Sequence, residues 1–132
     1  MVNAWVLARS DRQRSWRFFT EALASDVHDV QGGTTAEGIH LGAMAGTVDL
    51  AQRCYMGLET REDVLWLNPS LPQELDGLHF DIRYRGHWGI NLHLTSQLLR
   101  IGVAASDTAP IRVGVGGEVI ELPPGSMREF PL

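Results

Sequence analysis

The 132-residue sequence predicts an α+β chain, with helices up to about residue 58 and an antiparallel β-sandwich from residue 59 onward. Three observations lead there. Apolar residues recur at helical spacing before residue 60; after it they alternate or come in short runs cut by Gly and Pro. In "LHFDIRYRG", Leu78, Phe80, Ile82 and Tyr84 alternate with His79, Asp81, Arg83 and Arg85, the pattern of a half-buried antiparallel strand. The later segments are short and separated by turn residues, as in a sandwich.

Taken in order, a short helix is expected over Ala4 to Arg9. "SDRQ" follows, with Ser10 as the candidate cap and Gln13 three residues on. The next helix carries Trp16, Phe19 and Leu23 on one stripe and should end near Ser25-Asp26. A further helix is expected to open at "GGTTAE", where Thr34 caps and Glu37 reaches back. From Ala36 to Met56 its charged side chains are Glu37, Asp49 and Arg53 alone, so it is apolar or small almost all round. Such a helix is buried on most sides, which two helices cannot provide. Strands are expected at 64–69, 78–86, 88–95, 98–105, 111–117 and 119–122, and again in "REFPL".

Composition narrows the function. Hydrophobic residues at 44% and charged residues at 20% describe a folding chain. A net charge of −5 argues against a nucleic-acid partner, which needs clustered bases. Cys54 is the single cysteine, which excludes an internal disulfide and a thiolate metal cluster. No apolar run reaches the ~18 residues of a membrane span, and "MVNAWVLARSDRQR" lacks the features of a signal peptide. The expectations are no membrane partner, a cytoplasmic location, and a chain entered in the middle of a helix.

Few constellations carry chemistry. His79, His87 and His93 form no HxH or HxxxH pair, so they are read as solvated or satisfied, and no metal is expected. "GVGG" lacks the strand-to-helix context of a phosphate loop, and a hairpin turn at Gly116-Gly117 is expected instead. Glu62 and Asp63, adjacent in extended chain, should point to opposite sides. "GGTTAEGIHLGAMAG" (32–46) holds five glycines. Its start offers unpaired amides and the positive end of a helix dipole, suited to an anion, with His40 as a further donor. Gly38, Gly42 and Gly46 form a small-residue stripe suited to close helix packing, and the two readings are compatible.

The same residues carry a resemblance. "GGTTAEGIHLGAMAGTVDLAQRCYMGLETREDVLWLNPSLP", followed by "LHFDIRYRGHW", resembles the C-terminal part of glycoside hydrolase family 65. That family holds maltose, trehalose and kojibiose phosphorylases and related trehalose hydrolases. The resemblance implies that residues 1–58 are the last helices of an (α/α)6 catalytic barrel and 59–132 the C-terminal β-sandwich. It implies inverting cleavage of an α-glucosidic bond in carbohydrate metabolism. The general-acid glutamate would lie upstream, so no catalytic residue is expected in this chain, which would be inactive alone. Phosphate, a co-substrate of the phosphorylases, is implied at His40, with Gly38 and Thr35 as positional additions, and no cofactor is expected. The partners implied are an α-linked glucose disaccharide, phosphate and the upstream barrel. The helix opening at "GGTTAE", severed from that barrel, should cause self-association, as a homo-oligomer, or poor solubility. The resemblance leaves open which disaccharide is used, and whether the reaction is phosphorolysis or hydrolysis. The alternative is a non-catalytic β-sandwich, structural or carbohydrate-binding, in which Trp66 or Trp88 would stack on sugar if exposed; both tryptophans are expected in the core.

Overall fold

Helical periodicity in the first part and alternation in the second produce two separate packing units in the computed structural model, Met1–Tyr55 and Met56–Leu132. The structure describes residues 2–8, 10–24, 28, 38 and 40–132.

In the first unit, α1 (Val2–Leu7) and α2 (Arg12–Ala24) form the leading pair. Asp11 caps α2, accepting the Arg14 amide on Oδ1 at 3.0 Å, while its carbonyl takes the Ser15 amide at 2.9 Å. The cap is therefore one residue later than Ser10, which is exposed in the preceding turn. A carboxylate outcompetes a hydroxyl here because it also meets the positive end of the helix dipole. Ser15, fully buried, donates its hydroxyl to the Ala4 carbonyl at 2.8 Å and so ties α2 to α1. The expected stripe is realised in part: Trp16 and Phe19 pack on Tyr55, with ring centroids 6.4 and 5.7 Å away, whereas Leu23 is exposed.

The third helix, α3, runs Leu41–Leu50 and continues into a π-helical turn, Ala51–Tyr55. Its start is later than the expected Ala36, because Gly38 has φ +106° and His40 is a non-helical N-cap at φ −78°, ψ 85°. The Thr34 and Glu37 cap lies outside the described residues. Gly38 therefore leaves the proposed packing stripe, and Gly42, next along it, is exposed.

The second unit is a sandwich of two four-stranded sheets. The strands are β1 (Leu58–Arg61), β2 (Val64–Leu67), β3 (Gly77–Tyr84), β4 (His87–Thr95), β5 (Leu98–Val103), β6 (Ile111–Val115), β7 (Glu118–Leu122) and β8 (Met127–Pro131). One sheet has the order β1-β2-β6-β7 and the other β3-β4-β5-β8. One apolar cluster joins both, including Leu65, Leu67 and Val113 from the first and Ile90, Leu92 and Ile101 from the second. The polar strand "LETR" (β1) was not expected; three of its four residues are exposed, so it shows no alternation.

Pairing departs from purely antiparallel at one place: β2 runs parallel to β6. The chain leaves β2, builds β3 to β5 of the other sheet, and returns at β6. A parallel pair needs such a long crossover, and its strands read as continuous apolar runs, as "VLWL" does. Three two-residue hairpin turns have both central residues at positive φ: Glu62-Asp63, Arg85-Gly86 and the expected Gly116-Gly117. That is the type I′ geometry that matches strand twist. Glu62 and Asp63 are thus in a turn rather than extended chain.

Candidate functional site

Among the described residues, two places gather groups able to meet a ligand: the start of α3 and the outer face of the β3-β4-β5-β8 sheet.

At the start of α3, the His40 carbonyl accepts the Ala43 and Met44 amides at 2.9 and 3.1 Å, closing the first turn. The amides of Leu41 and Gly42 are the first in the helix and point out of its positive end. A Cβ built on Gly42, or on Gly38, would meet nothing within 4 Å, so the backbone here is open to approach. His40 is half-buried and its side chain does not cap the helix. Of the three residues expected to hold phosphate, the structure sets Gly38 and His40 two positions apart at this helix start. Thr35 lies outside the described residues.

On the sheet face, the odd positions of β3 point outward with His79, Asp81 and Arg83 exposed. Register places His79 beside His93, His93 beside Arg100, and Arg100 beside Glu129. Asn91, paired with Asp81, donates from Nδ2 to Asp81 Oδ1 at 2.8 Å and to His79 Nε2 at 2.6 Å. Arg100 bonds Glu129 Oε1 at 2.7 Å.

The tryptophans differ from expectation. Trp88 is 72% exposed, with the Arg83 guanidinium 3.7 Å from its ring centroid. Trp66 is half-buried on the other sheet, and its Nε1–H is buried without a hydrogen-bond partner among the described residues. Simple alternation would aim Trp88 at the core with Ile90, Leu92 and Leu94. The register shift between Ile82 and Tyr84 puts two β4 residues, Trp88 and Gly89, opposite Arg83 alone. This β-bulge hands the inward position to His87, which is 2% exposed and pairs with Tyr84.

His87 is satisfied there, as expected. Its Nε2–H donates to the Ala109 carbonyl at 2.9 Å, and the Thr108 hydroxyl donates to Nδ1 at 3.1 Å. Among the described residues, no three His, Cys, Asp or Glu side chains are grouped to hold a metal ion, and no helix is long and apolar enough to cross a membrane. Asp63 pairs with Arg85 across two hairpin turns. Arg85 also donates to the Tyr84 hydroxyl, and that bond and the Asp63 charge hold the guanidinium above its ordinary, already high pKa.

Comparison with known proteins adds the family. The glycosyl hydrolase family 65 central catalytic domain matches residues 1–49, and the C-terminal domain of the same family matches residues 58–122. An uncharacterized glycosyl hydrolase of Mycobacterium tuberculosis is 47% identical over 92% of this chain, which spans 9% of it. The trehalose 6-phosphate phosphorylase of Lactococcus lactis is 34% identical over 87% of the chain, which spans 14% of that enzyme. The kojibiose phosphorylase of Escherichia coli is 31% identical over 80% of the chain and 13% of that enzyme. The chain therefore spans about a seventh or less of the curated relatives it matches. The same fold occurs in a structure described as "Putative kojibiose phosphorylase from human microbiome", with TM-score 0.83 and 20% identity, over 98% of this chain and 16% of that one. With the central and C-terminal domains matched in sequence order and a relative 47% identical over 92% of this chain, it belongs to glycosyl hydrolase family 65.

Proposed function

We propose that this chain is the C-terminal part of an inverting disaccharide phosphorylase, acting on an α-linked glucose disaccharide in the cytoplasm, and that it contributes the phosphate-site helix. The carrying observation is the start of α3: His40 at the N-cap, two outward amides, and glycines on both sides of His40 that leave the backbone open. Phosphate there is held by the helix dipole and a histidine donor, with Gly38 and, by its place in the motif, Thr35 beside it. An anion fixed next to the sugar attacks the anomeric carbon as a bound neighbour rather than from bulk solvent, so proximity carries much of the rate gain. The general acid belongs to the upstream barrel, with residues 1–55 completing that barrel and 56–132, from three residues earlier than the expected boundary, forming the sandwich. The phosphorylases among the relatives favour phosphorolysis over hydrolysis.

Two measurements test this. The purified 132-residue chain should show no phosphorolysis of trehalose, kojibiose or maltose, and turnover by it would refute the absence of the general acid. In the enzyme carrying its barrel, His40→Ala should raise KM for phosphate about 10- to 100-fold, as loss of a ~1.5–3 kcal/mol hydrogen bond to a charged group requires. An unchanged KM would remove His40 from the site.

A further inference from the structure

We propose that the outer face of the β3-β4-β5-β8 sheet binds a neutral saccharide, with Trp88 as its stacking platform. It uses none of the residues at the start of α3 and does not rest on the phosphate reading.

The bulge is the first argument. A bulge interrupts the ladder and persists where re-aiming a side chain has a use. Here it takes a tryptophan out of the core-facing series Ile90, Leu92, Leu94 and leaves it 72% exposed. Exposing the largest apolar side chain gives up burial that the sandwich would otherwise gain. The Arg83 guanidinium carbon stands over one face of the ring, 3.7 Å from its centroid. The opposite face remains for the C–H surface of a sugar ring.

The neighbours are the second argument. Asp81, Asn91 and His79 are already ordered by the two bonds from Asn91 Nδ2. With both of its N–H donors used, Asn91 keeps its carbonyl oxygen as an acceptor, and Asp81 retains acceptor sites beyond the one it shares. The guanidinium edge of Arg83 supplies donors. Planar acceptors and donors set beside an aromatic plate suit the hydroxyls of a pyranose. The floor between them is low: Gly89 and Gly102 carry no side chain, and a Cβ on Gly89 would come within 3.0 Å of Ala104 Cβ.

Charge decides the class of ligand. Arg83 is stacked, Asp81 is engaged by Asn91, and Arg100 is paired with Glu129, so no cation stands alone among these to favour a phosphate. An uncharged polyol fits this mixture better than an anion. Relatives that are trehalose and kojibiose phosphorylases make such sugars a natural ligand class.

The test uses the 132-residue chain and amide-detected NMR, with maltose, trehalose and glucose as probes. Half-saturation on the order of a millimolar is expected, with shifts at the Trp88 indole N–H and the Asn91 side-chain amide but not at the Trp66 indole. Trp88→Ala and Asp81→Ala should each weaken binding at least ~tenfold, which is the loss of one good contact. Both positions are exposed, so an otherwise unchanged spectrum shows that the fold is intact. His40→Ala should bind sugar as the wild type does, which separates this site from the phosphate site. The proposal is overturned by absence of saturable shifts up to ~50 mM sugar, or by a Trp88→Ala chain that binds with the affinity of the wild type. It is also overturned if the Trp88 signal moves with protein concentration alone, since a second copy would then occupy the face.

Discussion

Replacing Gly114 by alanine should destabilise the sandwich through a single clash with Trp66. The two residues are register partners in the parallel β2-β6 pair. A Cβ on Gly114 would lie 2.3 Å from Cε3 of Trp66, 2.5 Å from Cζ3 and 2.7 Å from Cδ2. Carbon atoms pack best at ~3.5 Å or more, so the ring must retreat by roughly an ångström. The Arg61 guanidinium lies 5.2 Å from the ring centroid, and a displaced ring carries its buried Nε1–H with it. Overpacking of this kind costs about 1–3 kcal/mol. Alanine also restricts the unfolded chain more than glycine does, which returns about 0.4–1 kcal/mol. The clash wins, and a net loss near 1.3 kcal/mol lowers the Tm of a domain of this size by about 5–10 °C.

Thermal unfolding followed by near-ultraviolet circular dichroism reads the effect, since that signal comes from the packed indole. Gly102→Ala is the control: its Cβ would lie 3.7 Å from Asn91 Cβ, an ordinary contact, so only the small unfolded-state gain applies. In a Trp66→Leu background the ring atoms are gone and Gly114→Ala should become neutral or favourable, a coupling of about 1 kcal/mol or more. If Gly114→Ala melts with Gly102→Ala, or if its loss is the same without Trp66, the reasoning fails.

Two other perturbations follow from local geometry. Glu62 and Asp63 sit at φ 51° and 64°, where a side chain is strained by roughly 1–2 kcal/mol per residue. Glu62→Asn with Asp63→Gly restores the residues a type I′ turn prefers and gives up only the exposed pair with Arg85, worth ~0–1 kcal/mol. The sandwich should gain about 1 kcal/mol, and a lower Tm would show that the ion pair outweighs the strain. Asp11→Ala should cost the helical unit about 1 kcal/mol while Ser10→Ala costs almost nothing, because only Asp11 accepts the Arg14 amide. Urea unfolding at 222 nm decides between them, and equal losses would return the cap to Ser10.

What could be read from the sequence depended on whether a local pattern had one physical solution. The alternation from Leu78 to Tyr84 had one, and so did the paired glycines of the β6-β7 turn. The strand "LETR" had none, because a mostly exposed edge strand needs no apolar residue and is recognised only through its partner β2. The parallel β2-β6 pair was partly legible: "VLWL" has the continuous apolar run of a doubly covered strand, although its partner lies beyond three intervening strands. At the helix start, the motif located His40, but its glycines were read as a helical stripe when Gly38 in fact stands at positive φ outside the helix. Glycine is compatible with both readings, so only the backbone angle separates them.

Trp88 was hidden for a different reason. Alternation assigns it to the core together with Ile90, and that assignment is correct for an uninterrupted ladder. One extra residue in β4 reverses it, and no residue type in "RGHWGI" signals the insertion by itself. Yet the reversal leaves a trace in the sequence: His87, the residue that takes the inward position, is polar, and the fold supplies both of its ring nitrogens with partners at Ala109 and Thr108. If burial alone had set this end of the sheet, the tryptophan would have faced in and the histidine out. The sandwich instead satisfies a buried imidazole and presents an indole, the arrangement on which the proposed saccharide site depends.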